Sequence, residues 1–142
     1  MIVKTGRNLI ASKNLTSSEE LSKFKFFIEP TSNNLTDIEY MTNPEYTVRE
    51  LSSNIFETSE AVTSQPEEDL SNISETTLYA EWLEDSLELK FTAVIVGTSE
   101  NEGIYAAAGL IYDDSTLFSR VTFKETTLEK DSKYKMEYII YF

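Results

Sequence analysis

The clearest pattern in the chain is an alternation of apolar and polar positions in its second half. Residues 78–82 and 87–96 each fit a strand, and the second becomes continuously apolar, as a strand does when it enters a core. Residues 104–112 and 117–123 fit two more strands, and residues 134–142 carry Tyr, Met, Tyr, Ile and Phe at every second position. Successive strands with short polar connections predict an antiparallel arrangement, either a meander or a sandwich.

The N-terminal part predicts one short helix and one strand. In residues 2–13 the apolar side chains fall near helical spacing. Gly6 costs this helix about 1 kcal/mol relative to alanine, but its small size allows another backbone to approach closely. Residues 24–28 then fit a strand that ends before Pro30. This helix and strand, within residues 1–34, form a possible docking arm.

The middle of the chain, residues 35–77, is rich in Ser, Thr, Glu and Asn and is interrupted by Pro44 and Pro66. It predicts long loops with brief strands. The 142 residues then fit a single domain in which residues 78–142 form the antiparallel β core. The predicted fold class is α+β and mainly β, with a short N-terminal helix followed by an antiparallel β-sandwich or meander.

Two residue types are missing from the sequence altogether, because it contains no histidine and no cysteine. Their absence excludes disulfides, nucleophilic thiolates with a histidine base, and the commonest ligands of zinc. The sequence also has no phosphate-binding glycine loop and no nucleophile elbow. We therefore expect a protein that is not an enzyme and that uses no cofactor, no metal and no small-molecule substrate.

The chain is strongly acidic, with 12 basic and 25 acidic residues and a formal charge of −13. This charge repels phosphate backbones, so we expect no binding to nucleic acid. No apolar run approaches the roughly 20 residues of a membrane span, and the N-terminus does not fit a signal peptide. We expect no membrane contact and synthesis in a cytoplasm. The acidity leaves one alternative open, an inhibitor that mimics nucleic acid, such as an anti-restriction or anti-CRISPR decoy.

Two groups of residues with side-chain oxygens could form a functional site, and each has a simpler structural explanation. The first group consists of Asp113, Asp114 and Ser115. Their oxygens could bind calcium, but Asp and Ser are also favoured in β-turns. The second could supply the acid pair of a glycoside hydrolase, and it consists of Glu81, Glu84, Asp85 and Glu88. A β-turn and a solvated acidic face are the interpretations that we favour.

Aromatic residues are the third candidate group. They could stack on sugars, as in a carbohydrate-binding module, or pack in the core and at subunit contacts, where Tyr and Trp keep a polar group in water. The group consists of Trp82, Tyr134, Tyr138, Tyr141 and Phe142. We favour packing over sugar binding.

Two separated segments resemble the proteins of a known family. Residues 3–11, followed by a break and by residues 21–28, resemble the helix and strand at the start of bacteriophage tail-collar and tail-fibre proteins. Residues 103–123, with the sequence GIYAAAGLIYDDSTLFSRVTF, look like a hairpin of the same proteins. The segments stand in the same order and together cover about half of the chain. The sequence departs from the family where Ser115 or Thr116 replaces the glycine of the hairpin turn.

The resemblance implies a non-catalytic virion structural protein of a phage tail tip or baseplate. No fibre shaft follows the hairpin region, which favours an adaptor to which tail fibres or receptor-binding proteins attach. The implied partners are other tail or baseplate proteins and further copies of the chain, since tail organelles are symmetric. The implied location is the virion, after synthesis in the host cytoplasm. A carbohydrate-binding module for attachment to the host is the remaining alternative.

The candidate assembly interface follows from the apolar residues of the predicted helix and of the first and last strands. It consists of Leu9, Ile10, Phe24, Phe26, Tyr134, Tyr138 and Phe142.

Overall fold

The computed structural model describes residues 2–30, 56–58, 60–65, 69–114 and 116–142. The helices are α1 (Lys4–Ser12) and α2 (Ser18–Leu21), and a single turn of 3-10 helix spans Leu70–Asn72. The strands are β1 (Phe24–Pro30), β2 (Phe56–Glu57), β3 (Thr77–Leu83), β4 (Glu88–Val96), β5 (Gly103–Tyr112), β6 (Thr116–Leu128) and β7 (Lys133–Tyr141). The predicted class, mainly β with a short N-terminal helix, is confirmed. No helix in the described ranges has the length and apolar character that crossing a membrane requires.

The strands form two antiparallel sheets that pack face to face. One sheet has the strand order β2-β1-β5-β6 and the other has the order β3-β4-β7. The ring of Phe24 in the first sheet lies 4.8 Å from the ring of Phe91 in the second. Further core side chains come from both sheets, among them Phe26, Leu89 and Leu110. The fold is therefore the sandwich rather than the meander, because β5 pairs with β1 and β6 in one sheet while β4 pairs with β3 and β7 in the other.

β1 is an interior strand of the first sheet, with β2 on one side and β5 on the other. Its inward side chains, Phe24 and Phe26, are 0% and 6% exposed. The prediction that this strand belongs to a docking arm is wrong. The β core therefore includes β1 as well as strands within residues 78–142. The physical reason is that the apolar face of β1 is buried against the opposite sheet of its own chain.

The predicted loop-rich middle can be compared with the structure only in part, because residues 35–55 lie outside the described residues. In its described part, the 3-10 turn contacts the second sheet through Lys133, whose ammonium donates to the carbonyl oxygens of Leu70 and Ser71, each at 3.0 Å. The 3-10 turn is thereby attached to the start of β7.

Helix α1 packs against β6 through a glycine. The N–H of Val3 donates to the carbonyl oxygen of Phe118 at 3.1 Å, and the Thr5 hydroxyl donates to the carbonyl of Leu117. A Cβ atom added to Gly6 would lie 2.0 Å from the carbonyl oxygen of Phe118. The close backbone approach predicted from Gly6 is confirmed, and it explains why a poor helix former stands inside α1.

Gly6→Ala is expected to lower the free energy of unfolding by about 1–3 kcal/mol, the usual cost of overpacking. Alanine is the better helix former, but its methyl group fits only if α1 moves away from β6 and breaks the bonds from Val3 and Thr5. Thermal unfolding followed by circular dichroism measures the effect. Asn8→Ala, at an exposed position of the same helix, is the control and should not lower the melting temperature. An unchanged or raised melting temperature in Gly6→Ala would contradict the prediction.

Candidate assembly surface

The edges of the two sheets are protected to different degrees. Val62 lies along the outer edge of β3, where its N–H donates to Leu78 and its carbonyl accepts from Ala80, both at 2.9 Å. The first part of β6 is covered by α1 and by a bridge between Ile2 and Ser119. In the part of the chain that the structure describes, β7 pairs with β4 and no strand pairs with its other edge. An open strand edge is a template for pairing with another chain.

The register of β7 shows which backbone groups face the open edge. The N–H of Phe142 donates to the carbonyl oxygen of Leu87 at 2.9 Å, and Ile140 lies opposite Leu89. In an antiparallel pair, residues that exchange hydrogen bonds alternate with residues whose backbone groups point away. The even-numbered residues of β7 therefore bond to β4. The N–H and carbonyl groups of the odd-numbered residues face the open edge.

The two halves of β7 differ in polarity. The first half carries Lys133, Lys135 and Glu137, and charged side chains are a common means of blocking edge pairing. The ammonium of Lys135 lies 3.0 Å from the carboxylate of Glu137, and this hydrogen bond, assisted by Lys90, holds the pKa of Glu137 below its ordinary value. Residues 138–142 have the sequence YIIYF and no charged side chain. Charge therefore protects only the first half of the open edge.

An exposed apolar patch surrounds the uncharged half of β7. Tyr141 is 71% exposed, Phe142 and Leu87 are each 51% exposed, and Ile139 is 37% exposed. Ile139 and Tyr141 project from the face of the sheet that points away from the core, and Leu87 and Phe142 adjoin them at the end of the sheet. We call these four residues the β7 patch. Apolar side chains grouped in this way on a surface are typical of interaction sites.

Leu87 combines exposure with an unfavourable backbone conformation. Its φ is 52°, in the left-handed region that side chains other than those of Gly, Asn and Asp rarely adopt. Its N–H donates to Glu84 at 3.3 Å and closes the turn between β3 and β4. Asn or Gly would adopt this conformation at a lower energetic cost. An exposed leucine here gains little from its own chain, which favours a contact with another molecule.

Ring packing holds Phe142, at one end of the β7 patch, in place. The ring of Phe142 packs edge to face on Trp82, with 5.6 Å between the centroids and an angle of 86° between the planes. The two rings thus do not form a flat platform of the kind on which a sugar stacks. This geometry favours the packing interpretation of the aromatic group.

The structure separates the residues of the predicted interface. Phe24 and Phe26 lie in the core of this chain, so their assignment to an interface is wrong. The sequence pattern could not show this, because an apolar strand face looks the same whether it is covered by its own chain or by a neighbour.

The other predicted interface residues lie nearer the surface. Leu9 and Ile10 are half-buried and pack against the core from α1. Tyr134 and Tyr138 are half-buried between the sheets, and burial raises the pKa of the Tyr138 hydroxyl. Phe142 lies in the β7 patch.

The predicted interface left out Leu87, Ile139 and Tyr141. For two of them the alternation along residues 134–142 carries a usable signal, since Ile139 and Tyr141 are apolar at positions assigned to the face opposite the core. For Leu87 the signal is a leucine in a polar turn between two predicted strands.

The carboxylates proposed for calcium binding occupy the turn between β5 and β6. Asp113 and Asp114 have φ angles of 51° and 70°, and Asp114 forms an ion pair with Lys25 of β1. The β-turn interpretation is confirmed for these two residues, while Ser115 lies outside the described ones. Across the described ranges, no group of three or more acidic side chains is placed to hold a metal ion.

The second carboxylate group is spread over a hairpin. Glu84 and Asp85 are exposed in the turn between β3 and β4, and Glu81 lies opposite Lys90 on the paired strand. Glu88 begins β4 opposite Tyr141. The solvated acidic surface accounts for this arrangement.

Exposed carboxylates lie at both ends of the sandwich. Glu84 and Asp85 precede β4, and Glu100 and Glu102 follow it. A mimic of nucleic acid needs its carboxylates along one face at phosphate-like spacing. Their distribution counts against that alternative.

The candidate functional site is therefore a surface suited to assembly, made of the second half of β7 and the turn before β4. Its elements are an open backbone edge, the β7 patch and the strained, exposed Leu87. Comparison of the chain with protein-family models, with curated proteins and with solved structures gives no match.

Proposed function

We propose that this protein is a non-catalytic structural subunit of a phage tail tip or baseplate, where it acts as an adaptor for tail fibres or receptor-binding proteins. The observation that carries the proposal is the open edge of β7 with its apolar patch. The partners are other tail or baseplate proteins and further copies of the chain, and the location is the virion.

The arrangement of the two segments that resemble phage tail proteins supports this setting. The first segment supplies α1 and β1, and the second supplies the hairpin of β5 and β6. Gly6 of α1 lies against Phe118 of β6, and β1 pairs with β5. The resemblance is thus carried by one structural unit, although its parts are far apart in the sequence.

Assembly through β7 combines two kinds of interaction. A strand of a neighbouring protein gains backbone hydrogen bonds from the outward N–H and carbonyl groups of residues 139 and 141, as in other cases of strand addition. Its side chains cover Ile139 and Tyr141, which removes apolar surface from water. The charges on Lys133, Lys135 and Glu137 restrict such pairing to the second half of the strand.

Ile139→Lys is expected to weaken assembly at least tenfold while leaving the free energy of unfolding nearly unchanged. Ile139 is 37% exposed, so a lysine ammonium stays hydrated in the free subunit but is crowded by a paired strand. Ile104→Lys is a matched control, because Ile104 is 49% exposed on β5 in the other sheet. Sedimentation of each purified variant, with and without the neighbouring tail proteins, measures its assembly. Equal loss in both variants, or no loss in Ile139→Lys, contradicts the assigned surface.

The phage-tail setting has its own test. Particles purified from the encoding phage should contain the protein by mass spectrometry, in a fixed ratio to known tail proteins. Its absence from the particles would contradict the assignment to the tail, whether or not the purified chain assembles through β7.

A further inference from the structure

A cavity of about 410 Å³ opens between β6 and the first half of β7. Residues of both sheets line it, and the deepest are Ile28, Ile95 and Leu128, each no more than 6% exposed. Phe123 of β6 and Met136 of β7, which are half-buried, also line it. The volume lies within the roughly 300–1,000 Å³ typical of small-molecule sites.

The cavity lies where β6 separates from its partner strand. Tyr105 of β5 pairs with Thr126 and Ala107 pairs with Thr122, so residues 123–125 of β6 lie opposite a single residue of β5. Bulges of this kind locally interrupt the hydrogen-bond ladder and are over-represented beside active sites. Here the bulge brings Phe123 and Lys124 into the lining.

The hydroxyl groups of the two tyrosines in the wall are bonded to backbone carbonyl oxygens. The Tyr105 hydroxyl donates to the carbonyl oxygen of Asn101 at 2.5 Å, and the Tyr134 hydroxyl donates to that of Thr127 at 3.0 Å. The rings therefore contribute carbon surface to the lining, while their hydroxyls are satisfied by the backbone. The interior is suited to an apolar ligand body.

The charged residues of the lining, among those that the structure describes, are both cations. The chain has 25 acidic and 12 basic residues, yet Lys124 and Lys135 line the cavity and no Asp or Glu of the described ranges does. The ammonium of Lys135 is held by Glu137 at 3.0 Å. Lys124 makes no ion pair with any residue that the structure describes. An apolar cavity whose lining includes a lysine with no carboxylate partner among the described residues is complementary to a ligand that has an apolar body and an anionic end.

We propose that this cavity binds a single-chain amphiphile with one carboxylate, whose apolar body lies against Phe123 and Met136 and whose carboxylate binds the Lys124 ammonium. A carboxylate gains an ion pair with a charge-assisted hydrogen bond there, whereas a cationic head group is repelled. The body gains by leaving water for the apolar interior. This binding is independent of the assembly role.

Isothermal titration with decanoate, below its micelle concentration, tests the proposal. The wild type should bind saturably at one site and at least tenfold more tightly than it binds decyltrimethylammonium. Lys124→Glu should weaken decanoate binding at least tenfold. Lys130→Glu, at an exposed lysine of the turn between β6 and β7 that does not line the cavity, is the matched control and should change it less than twofold.

A cavity-filling variant, Met136→Trp, should abolish binding, and circular dichroism confirms that each variant is folded. If Lys124→Glu does not fold, Lys124→Met takes its place with the same expected loss. The absence of saturable binding to the wild type would overturn the proposal. So would equal affinity for the cationic amphiphile, or binding that survives in a folded Lys124 or Met136 variant.

Discussion

Replacing Arg120 with methionine is expected to lower the free energy of unfolding by about 3–5 kcal/mol, because it removes a cation that donates two hydrogen bonds to the buried carboxylate of Glu29. Arg120 is 2% exposed and its partner Glu29 is 0% exposed. Two guanidinium nitrogens donate to the same carboxylate oxygen, Nη2 at 2.9 Å and Nε at 3.2 Å. Each charge compensates the desolvation of the other, so removing one makes the other unfavourable. Equilibrium unfolding in urea measures the loss.

Two comparisons isolate the contribution of the buried ion pair to the free energy of unfolding. The double variant Arg120→Met/Glu29→Met should lose clearly less than the sum of the two single losses, since it leaves no unpaired charge from this pair. Lys90→Met removes a cation that lies 3.8 Å from Glu137 at the surface, and it should cost no more than about 1 kcal/mol. A loss in Arg120→Met that is no larger than the loss in Lys90→Met would falsify the prediction.

Phe24→Ala is expected to cost about 3–5 kcal/mol, the usual range for a large aromatic side chain in a core. Phe24 is completely buried. Its ring centroid lies 4.8 Å from that of Phe91, 5.3 Å from that of Tyr112 and 5.1 Å from that of Phe118. These contacts join the two sheets, so the cavity left by alanine lies at the centre of the sandwich. The midpoint of urea unfolding should fall accordingly.

Phe142→Ala is the matched control for Phe24→Ala, because both phenylalanines were predicted to lie at an interface. Phe142 is 51% exposed and contacts Trp82, so its truncation should cost about 1 kcal/mol of stability or less. It should instead weaken assembly through the β7 patch. A stable Phe24→Ala variant with impaired assembly would show that the distinction between core and surface is wrong.

Most of the secondary structure could be predicted from local patterns. The alternation along residues 87–96 and 134–142 corresponds to β4 and β7, and the polar pair Asp113 and Asp114 marks the turn between β5 and β6. Side-chain alternation is a property of a few consecutive residues, so it survives in any tertiary arrangement. The close approach at Gly6 was predictable for a related reason, since a glycine inside a helix needs a local explanation.

The partners of each strand could not be predicted in the same way. An apolar face shows that a strand is covered on that side, but it does not identify what covers it. Phe24 and Phe26 illustrate this, because the opposite sheet of the same chain covers them rather than a neighbouring protein. The ion pair between Glu29 and Arg120 joins residues 91 positions apart, and nothing in the local sequence of either residue indicates burial.

The β-rich second half, the short helix, the acidic surface and the lack of histidine and cysteine were thus determined by the sequence alone. The tertiary structure decided that the strands form two sheets, that β7 has an open edge in the described chain, and that a cavity lies beside Lys124. Edges and cavities arise from long-range pairing and from the register shift in β6, which depend on the whole fold. For that reason the candidate assembly surface is the second half of β7 rather than the predicted Phe24 and Phe26.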